Sequence, residues 1–304
     1  PHHCQLDYLA ARREILRFRS SPVPDPALAT EALHPQFPAG RRRKTGSTRD
    51  DLRGAGNRPG ARSKMTQRRH DGREPSEMRP VSFELDAAPN AEGSCIVSFG
   101  RTRVLCTASV LEGVPPHREG KGGWVTAEYA MLPRSTNTRS DRERRGPRGR
   151  TQEIQRLIGR SLRAATDLEA LGAFTVIVDC DVLVADGGTR TASITGACLA
   201  LEQAIDWLRD KGHIDGPALR SRVAAVSVGI VRGTPCLDLD YIEDSGADSD
   251  FNLVALEDGR FVEVQGTAED QPFSSQELSE LLQLGEAGIR SLVRAQQAAS
   301  RRGM

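Results

Sequence analysis

The sequence predicts an α+β fold built from two similar halves. Three observations lead there: β-rich runs come in groups, each group gives way to a long segment with helical apolar spacing, and Gly-containing turns separate the runs. At 304 residues the chain is long enough to bury a substantial core as one large domain or two small ones.

Residues 20–64 are rich in Pro, Gly, Arg and Ser without a sustained apolar period and read as disordered. A short amphipathic piece at 6–18 has helical spacing but no partner. The first methionine is Met65, just before ordered patterns begin, so residues 1–64 read as a basic leader outside the fold and 65–304 as a single domain; a basic RNA-binding arm is the competing reading. Strand-like runs follow at 81–86, 94–99, 103–110 and 123–131 and suggest an antiparallel meander. Thr151 reads as the cap of a helix of about 20 residues, with Ile154, Leu157, Ile158, Leu162, Ala165 and Leu168 on one face and Gly172 beyond its end. A β-rich run at 174–185 precedes a Gly-Gly turn and a helix over 191–211, buried through Ile194, Cys198, Leu201, Ile205 and Leu208. Strands are expected at 223–231, 236–242, 251–256 and 261–265, the last two joined at Asp258-Gly259. The capping-box pattern Ser274-x-x-Glu277 opens a final helix running to about 299.

Composition narrows the function classes. No run approaches the ~20 apolar residues of a membrane helix and the N-terminus lacks an apolar signal region, so a soluble, cytoplasmic protein without a membrane partner is expected. The six cysteines show no metal-type spacing and read as reduced core residues. Net charge is +1, but residues 1–64 hold 13 Lys/Arg against 6 Asp/Glu, leaving −6 on the remaining 240 residues. Any nucleic-acid function must therefore rest on local patches.

Three clusters carry chemistry. A strand ending at Asp186, then Gly187-Gly188-Thr189-Arg190, then a helix, brings free backbone N–H groups to the positive end of a helix dipole, an arrangement that binds phosphate. Thr189 adds a hydroxyl and Arg190 a planar fork; the pattern matches neither common nucleotide-binding glycine motif, and alone it is also compatible with an ordinary Gly-rich connection. The segment 134–150 packs seven arginines and two acids into seventeen residues, including Arg134, Arg139, Arg142, Arg144 and Arg145. It reads as a mobile loop suited to phosphate-backbone contact, against the alternative of a merely solvated charged loop. Arg150, directly before the expected cap, is a candidate second phosphate ligand. Finally, Asp244 and Asp250 would stand ~20 Å apart on one extended strand. A turn at Ser245-Gly246-Ala247 could fold them toward one point, where two carboxylates with substrate phosphates would suit Mg²⁺, although an acidic turn of this kind is also an ordinary surface feature.

From Met65 onward the chain also resembles bacterial ribonuclease PH over essentially all of 72–299. The resemblance is carried by Gly72-Arg-Glu-Pro with Arg79-Pro80, Cys106-Thr-Ala-Ser109, Thr126 to Thr136, Arg150-Thr-Gln-Glu-Ile-Gln-Arg156, Asp179 to Ser193 and Val262 to Glu269. It implies a duplicated β-α core of the ribosomal protein S5 domain 2-like type and a six-subunit homo-oligomeric ring. It further implies phosphorolytic trimming of RNA 3′ ends, tRNA precursors above all, with inorganic phosphate as co-substrate and a divalent metal, Mg²⁺, as cofactor. The phosphate ligands fall on Arg150, Gly188, Thr189 and Arg190; the catalytic, metal-associated aspartates on Asp244 and Asp250, the latter alternatively a proton donor; the RNA contacts on Arg134, Arg139 and their neighbours. A non-catalytic ring subunit sharing the fold and a phosphorylase of mononucleosides are the rival expectations.

Overall fold

Short alternating runs early in the chain pair into one sheet, described with the rest of residues 69–144, 146–269 and 271–302 by a computed structural model. The expected leader at 1–64, the helical piece at 6–18, and Arg145 lie outside the described residues. The first sheet contains β1 (Val81–Leu85), β2 (Gly93–Phe99), β3 (Thr102–Glu112), β4 (Trp124–Met131) and β5 (Phe174–Val184), in the order β1-β2-β3-β5-β4. The expected meander holds only through β3. β5 inserts antiparallel to β3, and β4 is pushed to the edge, where it pairs parallel to β5. A parallel neighbour needs a long crossover, and helix α1 (Gly149–Ala165) supplies it.

Helix α1 presents Ile154, Leu157, Ile158, Leu162 and Ala165 to the core, as its apolar spacing requires, and packs on β4. It starts three residues earlier than a cap at Thr151 implies. Arg148 occupies the cap position without a side-chain cap, while Glu143 of the arginine-rich loop accepts from Arg148 N–H at 3.0 Å and from the Thr151 hydroxyl at 3.0 Å. Glu143 thus ties the loop to the start of α1 without capping its first-turn N–H groups, and Arg150 lies inside the first turn.

Helix α2 (Thr189–Asp210) is buried on nearly all sides because it packs against β2 and β3 of the first sheet and against β6 (Val223–Val231) of a second. That second sheet, β7-β6-β8-β9, adds β7 (Thr234–Leu237), β8 (Ser249–Leu256) and β9 (Phe261–Ala268). β8 and β9 meet at the expected Asp258-Gly259 turn, Gly259 at φ 89°. The expected strand at 236–242 stops at Leu237. A four-residue helix, α3 (Tyr241–Asp244), replaces its end because Asp240 accepts from the N–H groups of Ile242 and Glu243 while Glu243 reaches back to Asp240 N–H. The final helix, α4 (Ser275–Arg302), has the expected capping box between Ser274 and Glu277 and packs on β6, β7 and β8.

Val97, Cys106, Val178, Ile158, Leu162, Ile194, Leu201, Val226 and Leu253 belong to one continuous buried core, each large side chain contributing roughly 1.5–3 kcal/mol. Cys95, Cys106, Cys180, Cys198 and Cys236 are buried and free, as expected of core cysteines. Among the described residues no helix is long and apolar enough to cross a membrane.

Candidate phosphate and carboxylate site

The end of β5 and the start of α2 are held from below by β3. Thr102 accepts from Asp186 N–H at 2.9 Å and donates to the Gly187 carbonyl at 2.7 Å, while Arg79 donates to the Asp186 carbonyl at 2.6 Å. A trans peptide points its N–H opposite to its carbonyl. With the carbonyls of 186 and 187 turned inward, the N–H groups of Gly187 and Gly188 face outward beside the free N–H groups of the first turn of α2. Gly187 and Gly188 both adopt left-handed conformations, φ 75° and 69°. At Gly187 a Cβ would lie 2.5 Å from the Asp240 carbonyl carbon and 2.7 Å from Tyr241 N, so the turn packs directly on the peptide that opens α3. This is an anion-binding geometry at the positive end of a 22-residue helix.

Side chains complete its rim. The Thr189 hydroxyl meets the Tyr129 hydroxyl at 2.9 Å, and Arg190 donates to Gln265 at 3.0 Å, with Glu153 at 3.7 Å and Gln265 bonded in turn to Glu153 at 2.6 Å. Arg150 is exposed. Burial raises the pKa of Tyr129, while the Thr189 hydrogen bond and the charges of Arg150 and Arg190 work against it, so both guanidinium groups act on one point. Arg148 and Arg150 stand at the N-terminus of α1, where cations are poorly placed against the dipole; the local field there favours an anion. Tyr129, Glu153 and Gln265 lie within stretches that carry the family resemblance, but nothing local marked them as parts of this rim, since they lie far apart in the chain and in ordinary strand or helix positions.

Asp244 ends α3 and Asp250 begins β8. Asp244 is exposed at the surface and Asp250 half-buried; the protein crowding Asp244 and the neighbouring Asp250 raise its pKa, whereas Arg190, Arg150 and Arg79 pull it down. Asp250 is likewise raised by desolvation and then by Glu269, and lowered by Arg190 and Arg150. Both carboxylates therefore share a field with Arg190 of the anion turn and Arg150 of α1. A turn after α3 leads from Asp244 into β8, and the short helix shortens the connection, leaving Asp250 near enough to act on the Asp244 carboxylate.

Behind this surface lies an ion network that sequence reasoning missed. Arg79 clamps Asp238 through its own backbone N–H at 2.8 Å, Nε at 2.9 Å and Nη2 at 2.7 Å, and reaches the Leu239 carbonyl at 3.3 Å. Asp238 is fully buried in a left-handed conformation, φ 55°. Arg69 grips both carboxylate oxygens of Glu243 and donates to the carbonyls of Leu237 and Asp238; Arg73 adds bonds to Asp238 O at 3.0 Å and Glu243 at 3.3 Å. Burial alone would lower the pKa of Arg79, yet its bonds and charge interaction with Asp238 raise it, so Arg79 stays charged. His70, Asp240 and Glu243 form a cluster of metal-ligand types, but Arg69 and the α3 cap already use the Asp240 and Glu243 oxygens.

The arginine-rich loop is exposed from Thr138 to Arg144 and from Gly146 to Arg150. Arg134 and Arg144 are exposed, Arg139 pairs with Asp141 at 2.7 Å, and Arg142 lowers the otherwise burial-raised pKa of Asp181 on β5.

Comparison with known proteins fits this architecture. The fold is similar to that of rice (Oryza sativa) Rrp46, at 19% identity and TM-score 0.63, covering 76% of this chain and 99% of that one. It is also similar to an Archaeoglobus fulgidus exosome with RNA bound to the active site, at 24% identity and TM-score 0.64, covering 74% and 91%. An archaeal exosome core matches at 24% identity and TM-score 0.63, over 76% and 91%. Residues 77–205 match domain 1 and residues 221–288 match domain 2 of one family, together almost two thirds of the chain. With both of its domains present in order, the chain belongs to the 3′ exoribonuclease family, the ribonuclease PH family.

Proposed function

We propose that the protein is a phosphorolytic 3′→5′ exoribonuclease of the bacterial ribonuclease PH type, trimming tRNA precursors and other RNA 3′ ends. The observation that carries this reading is the convergence of an anion-binding turn, Gly187 to Arg190, with Arg150, Asp244 and Asp250 in one field. Gly188, Thr189, Arg190 and Arg150 hold inorganic phosphate. One phosphate oxygen attacks the phosphorus of the terminal phosphodiester in line, and the bond from that phosphorus to the 3′ oxygen of the preceding nucleotide breaks. The products are a nucleoside 5′-diphosphate and an RNA one residue shorter whose 3′ oxygen takes up a proton. Because phosphate is already an anion, positioning and charge neutralisation carry the rate rather than base catalysis. A phosphodiester is exchanged for a diphosphate bond, so the reaction runs backwards when diphosphates are abundant.

Asp244 and Asp250 would hold Mg²⁺, which would neutralise charge on the scissile group. Their fit to a cation rests on the acidic charge gathered there, Asp250 acting on Asp244 and Glu269 acting on Asp250. When protonated, Asp250 instead supplies the proton to the departing 3′ oxygen. The basic loop, through Arg134, Arg139, Arg142, Arg144 and Arg145, tracks the RNA backbone, and six copies form a ring in the cytoplasm.

A 3′-labelled tRNA precursor incubated with and without phosphate tests the reading. Phosphate-dependent release of nucleoside diphosphates supports it. Monophosphate release, or indifference to phosphate, sinks it; RNA binding without turnover assigns the protein to non-catalytic ring subunits. Sizing of the purified protein tests the ring.

A further inference from the structure

We propose that Arg79 is a positioning residue of the phosphate site: neutralised by Asp238, its guanidinium fixes the carbonyls of Asp186 and Leu239 and so holds the 187–190 turn and the segment leading to Asp244 in one geometry. The inference rests on the phosphorolytic reading above.

Arg79 precedes β1, is 6% exposed, and is separated from Asp238 by 159 residues of chain. Its fork is divided between two tasks. Nε and Nη2 lie on the two oxygens of Asp238, while Nη1 takes the Asp186 carbonyl, the last before the Gly-Gly turn. Nη2 also reaches the Leu239 carbonyl, just ahead of the Asp240 cap of α3. The two segments that must meet for chemistry, the anion turn and the acidic turn, are thus tied to one planar group. Their direct contact at Gly187 leaves no room for independent adjustment. Asp238 is held in turn: Ser227 O accepts from its N–H at 2.7 Å, Ser227 Oγ accepts from Leu239 N–H at 3.0 Å, and Arg69 and Arg73 hold the Asp238 carbonyl.

Proximity alone would give Arg79 a second role, that of attracting phosphate by charge. The two roles predict opposite outcomes. Arg79→Lys keeps the charge but loses the fork, and Asp238→Asn frees the charge but loosens the fork. Asn tolerates the left-handed conformation of position 238, so this variant leaves the backbone preference intact. For a positioning role both variants raise the KM for phosphate at least about tenfold, with the KM for RNA within about twofold of the parent. Isothermal titration of inorganic phosphate into each full-length protein without RNA shows the same weakening.

An unchanged phosphate KM in Arg79→Lys, or a lowered one in Asp238→Asn, overturns the assignment. So does a loss of thermal stability with phosphate affinity preserved, which marks a purely structural ion pair. The calorimetry separates this inference from the reading beneath it. A parent protein that binds phosphate but releases no diphosphate contradicts phosphorolysis, whereas weakened phosphate binding in both variants still supports the strut.

Discussion

Replacing Gly187 with alanine perturbs a point where the two functional segments touch. Its φ of 75° already disfavours a side chain, by about 1–2 kcal/mol. The added Cβ would lie 2.5 Å from the Asp240 carbonyl carbon and 2.7 Å from Tyr241 N, both backbone atoms that cannot rotate away. Relieving such overlap in a packed region costs about 1–3 kcal/mol more. Gly212 provides the control: it has nearly the same φ, 72°, but open space where a Cβ would stand. Gly212→Ala therefore bears only the conformational term. At ~2–4 °C per kcal/mol, Gly187→Ala should melt roughly 5–15 °C below the parent and Gly212→Ala only a few degrees below. Because relief requires the anion turn to part from α3, kcat/KM for phosphate should also fall at least ~100-fold in Gly187→Ala and stay near the parent value in Gly212→Ala. Differential scanning fluorimetry with phosphate-dependent diphosphate release reads both. If the two variants behave alike, the packing of the turn on α3 is not what aligns the site.

Arg150→Ala should raise the phosphate requirement ~10–100-fold while leaving RNA affinity nearly intact; a collapse of RNA binding in a gel-shift or anisotropy titration would move Arg150 to the RNA track. Alanine at Arg142 and Arg144 together should do the reverse, weakening RNA binding and flattening the slope of log Kd against log salt, while phosphate affinity holds. An unaltered slope would mean that the loop does not touch RNA. Asp179 on β5, paired with Glu128 on β4 and next on that face to Asp181, has its pKa raised to about 6, first by burial and then by those two carboxylates. Between its ordinary value of 3.8 and about 6 the folded state binds more protons than the unfolded state, so ionised Asp179 destabilises the fold above this window and the penalty fades as pH falls through it. Asp179→Asn should accordingly stabilise the protein by ~1–3 kcal/mol at pH 8 and much less at pH 4, by urea denaturation. Equal effects at both pH values would show that ionisation at this position is not the cause.

Much of this protein was legible locally. The helices declared themselves through apolar spacing, since a period of 3.6 residues is a property of the segment alone, and Ile154 to Ala165 and Ile194 to Leu208 are indeed buried. The Ser274 capping box and the Asp258-Gly259 turn were equally self-contained. The Gly187 to Arg190 turn was visible as a candidate anion motif because such a motif depends on backbone conformation, which glycine advertises. The Asp240-x-x-Glu243 cap was present in the sequence too, but an acidic run leaving a strand masked it.

Only the tertiary structure decided the rest. Which strand sits beside which is not written in alternation: β4 and β5 look alike as segments, and it is the α1 crossover that sets β4 parallel at the edge. Thr151 donates its hydroxyl to Glu143 rather than capping α1, because the loop folds back across eight residues to reach it. The buried network of Arg69, Arg73, Arg79, Asp238 and Glu243 joins positions more than 150 residues apart. Burying charges is favourable only when each finds its partner, and that condition is met by folding, not by any local pattern. The sequence by itself determined the elements and the anion turn; three-dimensional packing determined what holds that turn against the carboxylates.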